Sequence, residues 1–242
     1  MDYSDETYGD RVAAIYDDWY GDLEPSSIDL LAELAGQGRT LELGIGTGRI
    51  AIPLAARNVN VIGIDVAQAM IDQLKAKPEA QSIDVHLGSF ADLDVAGQFD
   101  LVYVVFNTFF MLTSQTEQVR CFRNVASHLT NNGSFVIEAF VPNLSRFQLG
   151  QMNLATKVTT DAIELDVGKH DSAKQLVTAQ KVVLTEGNVR LYPIQIRYAW
   201  PSELDLMAQL AGLRLRERWS NWQKTPFDSE SGKHISVYEL EQ

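Results

Sequence analysis

Glu42, Gly44, Gly46, Gly48 and Asp65 are the residues of this 242-residue chain whose types and spacing could do chemistry. Three glycines at alternating positions follow the run Leu41-Glu42-Leu43 and precede Arg49-Ile50-Ala51-Ile52-Pro53-Leu54-Ala55-Ala56, which reads as a helix. Such a loop lets the backbone approach a ligand closely, because no Cβ intervenes and φ can be positive. The N–H groups that open the helix then face an anionic or acceptor-rich group. Farther on, Val61-Ile62-Gly63-Ile64-Asp65 reads as a second strand ending in an acid. A carboxylate there can accept both hydroxyls of a ribose, so the spacing predicts a nucleoside-binding β-α-β unit. A dinucleotide fingerprint would need a small sixth residue for close helix–strand packing, and Arg49 stands in that place.

The run Glu42-Leu43-Gly44-Ile45-Gly46-Thr47-Gly48 resembles the first motif of the class I S-adenosylmethionine-dependent methyltransferases. The resemblance implies that Glu42 sits under the methionine end of the cofactor, that the glycines wrap it, and that Asp65 takes the ribose. Asp65-Val66-Ala67-Gln68-Ala69-Met70 resembles the family's next segment, with Val66 and Met70 against the adenine ring. Gly88-Ser89-Phe90-Ala91-Asp92-Leu93 is similar to the loop that reads adenine, except that Ser89 stands where most relatives carry an acid. A hydroxyl accepts more weakly than a carboxylate, which shifts adenine recognition toward the Phe90 backbone. Val105-Phe106-Asn107-Thr108-Phe109-Phe110 resembles the fourth motif of the small-molecule enzymes, implying Phe106 at the cofactor and Asn107 and Phe110 toward the acceptor. The proline pair of base-modifying DNA enzymes is absent from it. Tyr16-Asp17-Asp18-Trp19-Tyr20 is similar to the tyrosine-bearing N-terminal segment that closes over the ligand, with Tyr20 among the cofactor contacts. Aromatic faces would attract a sulfonium, although the same rings could simply pack a helix onto the core.

Behind these motifs the chain alternates strands and helices: strand 39–43, helix 49–57, strand 60–65, helix 68–77, strands 83–87 and 99–106, and helix 116–129. A turn at Asn131-Asn132-Gly133 leads into a fifth strand over 134–140. The pattern predicts an α/β fold, a Rossmann-like, seven-stranded, mostly parallel sheet with helices on both faces. Ligands bind beyond the carboxyl ends of such strands, which places Gly44 to Gly48, Asp65, Ser89 and Asn107 on one rim. Past Pro142 the segments 156–167, 175–184 and 189–200 are β-rich and read as an antiparallel insertion after the fifth strand. A helix over 201–212, with Ser26 or Ser27 capping an earlier helix over 26–35, and strands over 213–219 and 234–240 complete the chain. The organisation expected is an N-terminal helical cap over 1–38, a cofactor-binding core over 39–141 and 201–242, and a β-rich insertion over 142–200 covering the substrate site.

Net charge is −12 and the isoelectric point about 4.7, which argues against a nucleic-acid backbone as partner. Cys121 is the single cysteine, lies in a helical stretch and has no metal or redox spacing, so packing and a reducing, cytoplasmic compartment are expected. The N-terminus carries Asp2, Asp5, Glu6 and Asp10 and no apolar core, unlike a signal peptide. No apolar run approaches a membrane span, and His86, His128, His170 and His234 lack metal-ligand spacing, so neither membrane nor metal is expected.

The activity expected is transfer of a methyl group from S-adenosyl-L-methionine, leaving S-adenosyl-L-homocysteine, by in-line displacement to an N or O atom of a small metabolite. A hydroxyl acceptor would need a base, and Glu138, His170, Tyr16, Tyr192 and Tyr198 are the candidates. Glu138 stands out, an acid inside the apolar strand Phe135-Val136-Ile137-Glu138-Ala139-Phe140. A buried acid is costly unless paired, and an ion pair with an arginine would explain it equally. Tyr192 and Arg197 complete the acceptor side. A non-catalytic cofactor-binding sensor or partner subunit fits the same motifs, a nicotinamide oxidoreductase is disfavoured by Arg49, and an exposed strand edge could support a homodimer.

Overall fold

Strand runs buried on both faces, such as residues 101–104 and 135–137, build the centre of the molecule, because only a sheet covered on both sides can bury them. The computed structural model describes residues 3–4 and 6–241; Asp2 and Asp5 of the acidic N-terminus lie outside the described residues. Among the described residues no helix is long and apolar enough to cross a membrane, and no group of three or more His, Cys, Asp or Glu is arranged to hold a metal ion.

In chain order the elements are α1 (Thr7–Val12), α2 (Tyr16–Tyr20), α3 (Pro25–Ala35), β1 (Arg39–Leu43), α4 (Ala51–Ala55), β2 (Asn60–Asp65), α5 (Gln68–Lys75), β3 (Asp84–Leu87), β4 (Phe99–Val104), α6 (Gln115–His128) and β5 (Leu129–Phe140). There follow β6 (Gln151–Val158), β7 (Ala162–Asp171), β8 (Leu176–Thr185), β9 (Asn188–Arg197), α7 (Pro201–Leu210), β10 (Leu213–Trp219) and β11 (Lys233–Leu240). The main sheet has seven strands in the order β10-β11-β5-β4-β1-β2-β3. Strands β1 to β5 run parallel, and β11 pairs antiparallel with both β5 and β10. Leu31 of α3, Leu54 of α4 and Leu74 of α5 pack on one face, while Cys121 and Phe122 of α6 and Leu204 and Met207 of α7 pack on the other. The expected mostly parallel α/β sheet is therefore present. Strands β6 to β9 form a separate four-stranded antiparallel sheet.

Local expectations gave way in three places. Asn131-Asn132-Gly133 is not a turn: these residues belong to β5, where the pairing with β4 jumps from Phe99↔Leu129 to Leu101↔Ser134. The extra residues are accommodated as a bulge, which keeps the strand continuous. The first insertion strand expected over 156–167 is split into β6 and β7 by a hairpin, in which Thr159 Oγ1 accepts from the amides of Asp161 and Ala162. Neither Ser26 nor Ser27 caps α3. Pro25 starts the helix, at the position where its missing N–H costs nothing, and Glu24 precedes it.

Among the titratable groups buried in the main sheet, His234 and Glu42 oppose one another in their response to pH. His234 on β11 has no exposed surface, and its Nδ1 lies 2.8 Å from Ser236 Oγ. Arg218 Nε donates to that same oxygen, so the Ser236 hydroxyl hydrogen is directed at the imidazole, which is neutral. Burial, with the nearby Arg218 charge, pushes its pKa from 6.5 down to about 3. Glu42 on β1 is pushed by burial from 4.5 up to about 8, against the Tyr103 hydroxyl that donates to it. Between pH 6.5 and 3 the unfolded chain protonates His234 and the folded chain resists, so this group costs stability as pH falls. Glu42 does the reverse: its contribution is lost as pH rises from 4.5 to 8. The two slopes offset each other between about pH 4.5 and 6.5, and removing one exposes the other. His234→Gln is expected to gain up to about 2 kcal/mol relative to the parent on going from pH 7 to pH 5. Urea unfolding at the two pH values measures the difference, and parallel curves for the two proteins would show that His234 titrates normally.

Candidate functional site

The carboxyl ends of β1, β2, β4 and β5 meet at one rim, and a cavity of about 280 Å³ opens there. Gly44, Gly46, Asp65, Val66, Met70, Phe90, Phe106 and Asn107 line it, with Tyr16 and Tyr20 reaching in from the N-terminal segment. Asp65 is 8 % exposed; its Oδ2 accepts from the Gly46 amide at 2.8 Å and its Oδ1 from the Ala67 amide at 2.9 Å. Burial raises its pKa, and the Ala67, Gly46 and Val66 amides work against that rise. Each carboxylate oxygen keeps a second lone pair, so two amide bonds leave acceptor capacity for a ligand.

The glycines do different work. Gly46 has φ +55° and nothing within 4 Å of the position a Cβ would take, so it leaves the loop open. At Gly48, φ +82°, a Cβ would stand 2.2 Å from Leu74 Cδ1. That glycine does not line the cavity; it lets the loop into α4 pack against α5. Glu42 likewise lies behind the loop rather than in the cavity wall, bonded to Tyr103 at 2.8 Å. Ser89 is also outside the wall: its Oγ accepts from the Ala91 amide at 3.2 Å and shapes the turn that delivers the Phe90 ring.

A second cavity of about 460 Å³ adjoins the first. Tyr8, Tyr20, Phe140, Ile194 and Ile196 line both, so these five residues form their common wall. Trp19, Tyr192 and Tyr198 face the second cavity, as do Arg146, Asp166 and Lys181. Tyr192 stacks edge-on against Trp19 with ring centroids 4.7 Å apart. The hydroxyl of Tyr198 meets His170 Nε2 at 2.9 Å, and the imidazole stacks on Phe147. The floor is thus supplied by the small sheet and the roof by the N-terminal segment.

Three residues expected to touch substrate do something else. Phe110 has no exposed surface and packs behind Phe140, ring centroids 5.0 Å apart, so it supports the wall without reaching the cavity. Arg197 is 5 % exposed and is tied to Gln118, Gln175 and Glu203, with its Nη2 2.7 Å from Glu203, which joins β9 to α6 and α7. Glu138 lines neither cavity. Its Oε1 accepts from Trp222 Nε1 and Lys233 Nζ, each at 3.1 Å, and its Oε2 from the Phe106 amide at 3.2 Å. The partner is a lysine and a tryptophan, not the arginine considered from sequence. Phe106 and Asn107 both adopt left-handed backbone, φ 57° and 65°, a conformation costly for non-glycine residues. Glu138 and Asn107, whose Oδ1 accepts from the Phe140 amide at 2.7 Å, hold that strained loop in place. Asn107 does both jobs, since it also lines the first cavity.

Sequence reasoning missed the fastening of the N-terminal segment. Arg49 donates to the Tyr20 carbonyl, and its guanidinium lies 3.3 Å from the centroid of the Phe106 ring. Asp17 accepts from Thr47 Oγ1 at 2.6 Å and pairs with Lys77 at 2.6 Å, while Lys77 also donates to the Thr47 carbonyl. Tyr8, which lines both cavities, lies outside the Tyr16–Tyr20 motif and is brought to the site by the packing of α1 on β9 and α5.

Known proteins are similar to this chain in sequence and in fold. Residues 40–133 match a family model described as a methyltransferase domain. The solved CcbJ methyltransferase from Streptomyces caelestis is 37% identical and superposes with a TM-score of 0.93, covering 99% of this chain and 100% of that one. The cypemycin N-terminal methyltransferase of a Streptomyces species is 27% identical over 204 residues, 84% of this chain and 83% of the relative. CalS10, an amino pentose methyltransferase from Micromonospora echinaspora solved with SAM bound, has the same fold at 17% identity and a TM-score of 0.64, covering 98% of this chain and 92% of that one.

The bonds around Glu138 lead to a stability expectation. Glu138→Gln leaves one oxygen for three donors and is expected to lower the unfolding free energy by about 1–3 kcal/mol. Urea denaturation reads this directly, and an unchanged midpoint would return Glu138 to the candidate reactive groups.

Proposed function

The chain belongs to the class I S-adenosylmethionine-dependent methyltransferases, and we propose that it methylates a nitrogen atom of a small metabolite. The observation that carries the choice of nitrogen is the wall between the two cavities. Its five residues, Tyr8, Tyr20, Phe140, Ile194 and Ile196, include no carboxylate, imidazole or amine.

The smaller cavity fits the cofactor. Gly44 and Gly46 bring bare backbone to it, Asp65 offers free lone pairs, and Val66, Met70 and Phe90 supply apolar wall. Arg49 Nη2 is buried without a hydrogen-bond partner behind Phe106 and Tyr20, which line the cavity. The departure at Ser89 does not disturb this fit, because that side chain is turned away. When bound, the cofactor supplies an electrophilic methyl group on a sulfonium.

Everything else falls to the chain's own residues. Tyr8, Tyr16, Tyr20 and Phe106 line the cavity with aromatic rings, whose faces can attract a cation. Burial pushes the Tyr8 phenol far above its usual range and that of Tyr16 up to about 12, so neither is a phenolate at neutral pH. A hydroxyl acceptor would find no base at the junction. An amine needs none, provided it arrives neutral, and it loses its proton to solvent after transfer. The walls then contribute by positioning, which can supply about 7–11 kcal/mol for well-oriented reactants. A relative named for an N-terminal acceptor agrees with amine chemistry. The 142–200 segment supplies the floor of the acceptor side and hence its selectivity, and the fully buried Cys121 thiol suits a reducing cytoplasm.

Calorimetric titration with S-adenosylhomocysteine should give one-to-one binding, with none for NADH. Asp65→Ala should weaken it about ten- to a hundredfold, the worth of charged hydrogen bonds lost to a ribose. Undiminished binding in that variant would remove Asp65 from the cofactor site. With matched amine and alcohol acceptors on one carbon skeleton, methylation should occur on the amine alone. Its rate should rise with pH through the pKa of the amine, and methylation of the alcohol would overturn the assignment to nitrogen.

A further inference from the structure

One charged group in the larger cavity is left uncompensated by the fold. Asp166 on β7 stands directly across from Lys181 on β8, and both line the cavity. The lysine turns away nonetheless: its Nζ lies 2.9 Å from Glu164, and the Trp19 ring centroid is 5.4 Å from it. Lys157 approaches the same glutamate at 3.6 Å. Two cations therefore converge on Glu164, and no donor or cation among the described residues reaches the Asp166 carboxylate. Met152, Val177 and Ile194 of the same sheet give the cavity an apolar floor, and low local polarity strengthens whatever interaction the carboxylate does make. A half-buried carboxylate without a partner is costly to hold ready, and a ligand that brings the missing donor repays that cost.

Asp166 is absent from the wall shared with the cofactor cavity, so its ligand is not the nitrogen that receives the methyl group. Resting on the methyltransferase reading above, we propose that Asp166 determines acceptor specificity by binding a second, hydrogen-bond-donating group of the acceptor, an ammonium or a hydroxyl. Acceptors that place a carboxylate there are rejected by like charge. The other unpaired charge of the lining, Arg146, is exposed on the turn Leu144–Arg146 at the cavity mouth and is the rival anchor, which would reverse the preference.

Three ligands with one secondary-amine ring separate these outcomes: 4-(aminomethyl)piperidine, 4-piperidinemethanol and piperidine-4-carboxylic acid. Each is titrated by calorimetry into protein saturated with S-adenosylhomocysteine. The ammonium and hydroxyl ligands should bind at least about tenfold more tightly than the carboxylate, the worth of one charge-assisted hydrogen bond. In Asp166→Asn the ammonium should lose that advantage while the hydroxyl keeps most of its affinity, because an amide oxygen still accepts; in Asp166→Ala both should lose it. Circular dichroism of each variant reports whether it is folded. The same order of ligands in parent and variants overturns the proposal, as does failure of the ammonium ligand to bind. Tighter binding of the carboxylate overturns it too and assigns the anchor to Arg146. If S-adenosylhomocysteine itself does not bind the parent protein, the methyltransferase reading falls first, and the acceptor assignment with it.

Discussion

The carboxylate of Asp65 accepts amide hydrogens from Gly46 on one side and Ala67 on the other, and the rim is organised around that junction. It joins the loop after β1 to the turn after β2, two segments that parallel pairing brings together but does not fasten. The pairing is itself exacting. Gly63 lies opposite Glu42 in the register, and a Cβ on it would stand 2.2 Å from Ile45 Cδ1. A side chain there would push the glycine loop off the sheet, and the two amides would no longer converge on one carboxylate. Nearly complete burial makes these bonds matter, since a charge in that setting without donors would cost several kcal/mol.

Arg49 illustrates how one residue can bear on two arrangements. Its bulk disfavours the tight helix–strand contact of a dinucleotide fold. The same side chain lies over Phe106 and holds the Tyr20 carbonyl, so it fixes both the strained loop after β4 and the aromatic segment above it. Lys77 and Asp17 add a partly exposed ion pair, worth less than about 1 kcal/mol by itself. The hold on the N-terminal segment is therefore shared among several weak contacts, with the cation over the Phe106 ring and the Asp17–Thr47 bond contributing alongside it.

The cofactor half of the molecule was largely legible from sequence because its determinants are local. A glycine loop, an acid ending a strand and strand–helix alternation are contiguous patterns, and the seven-stranded sheet followed from them. Glu138, Arg197 and Phe110 were misjudged because their roles depend on residues far along the chain. Lys233 and Trp222 meet Glu138 across about 90 positions, and Gln118 meets Arg197 across 79. A polar residue in an apolar strand announces that a partner exists without naming it. Gly48 and Ser89 were misplaced for a subtler reason: a motif records which types are required and not which side of the loop requires them. The split of the first insertion strand was missed because Thr159 to Asp161 contains neither glycine nor proline, and the turn is made by a threonine hydroxyl.

Tyr8 and Tyr20 are walls of both cavities, and both belong to the same short helical segment. Any displacement that withdraws α1 and α2 from one chamber therefore uncovers the other as well. One short segment therefore borders both chambers, so the geometry of the nucleoside side and that of the acceptor side are set by the same two helices.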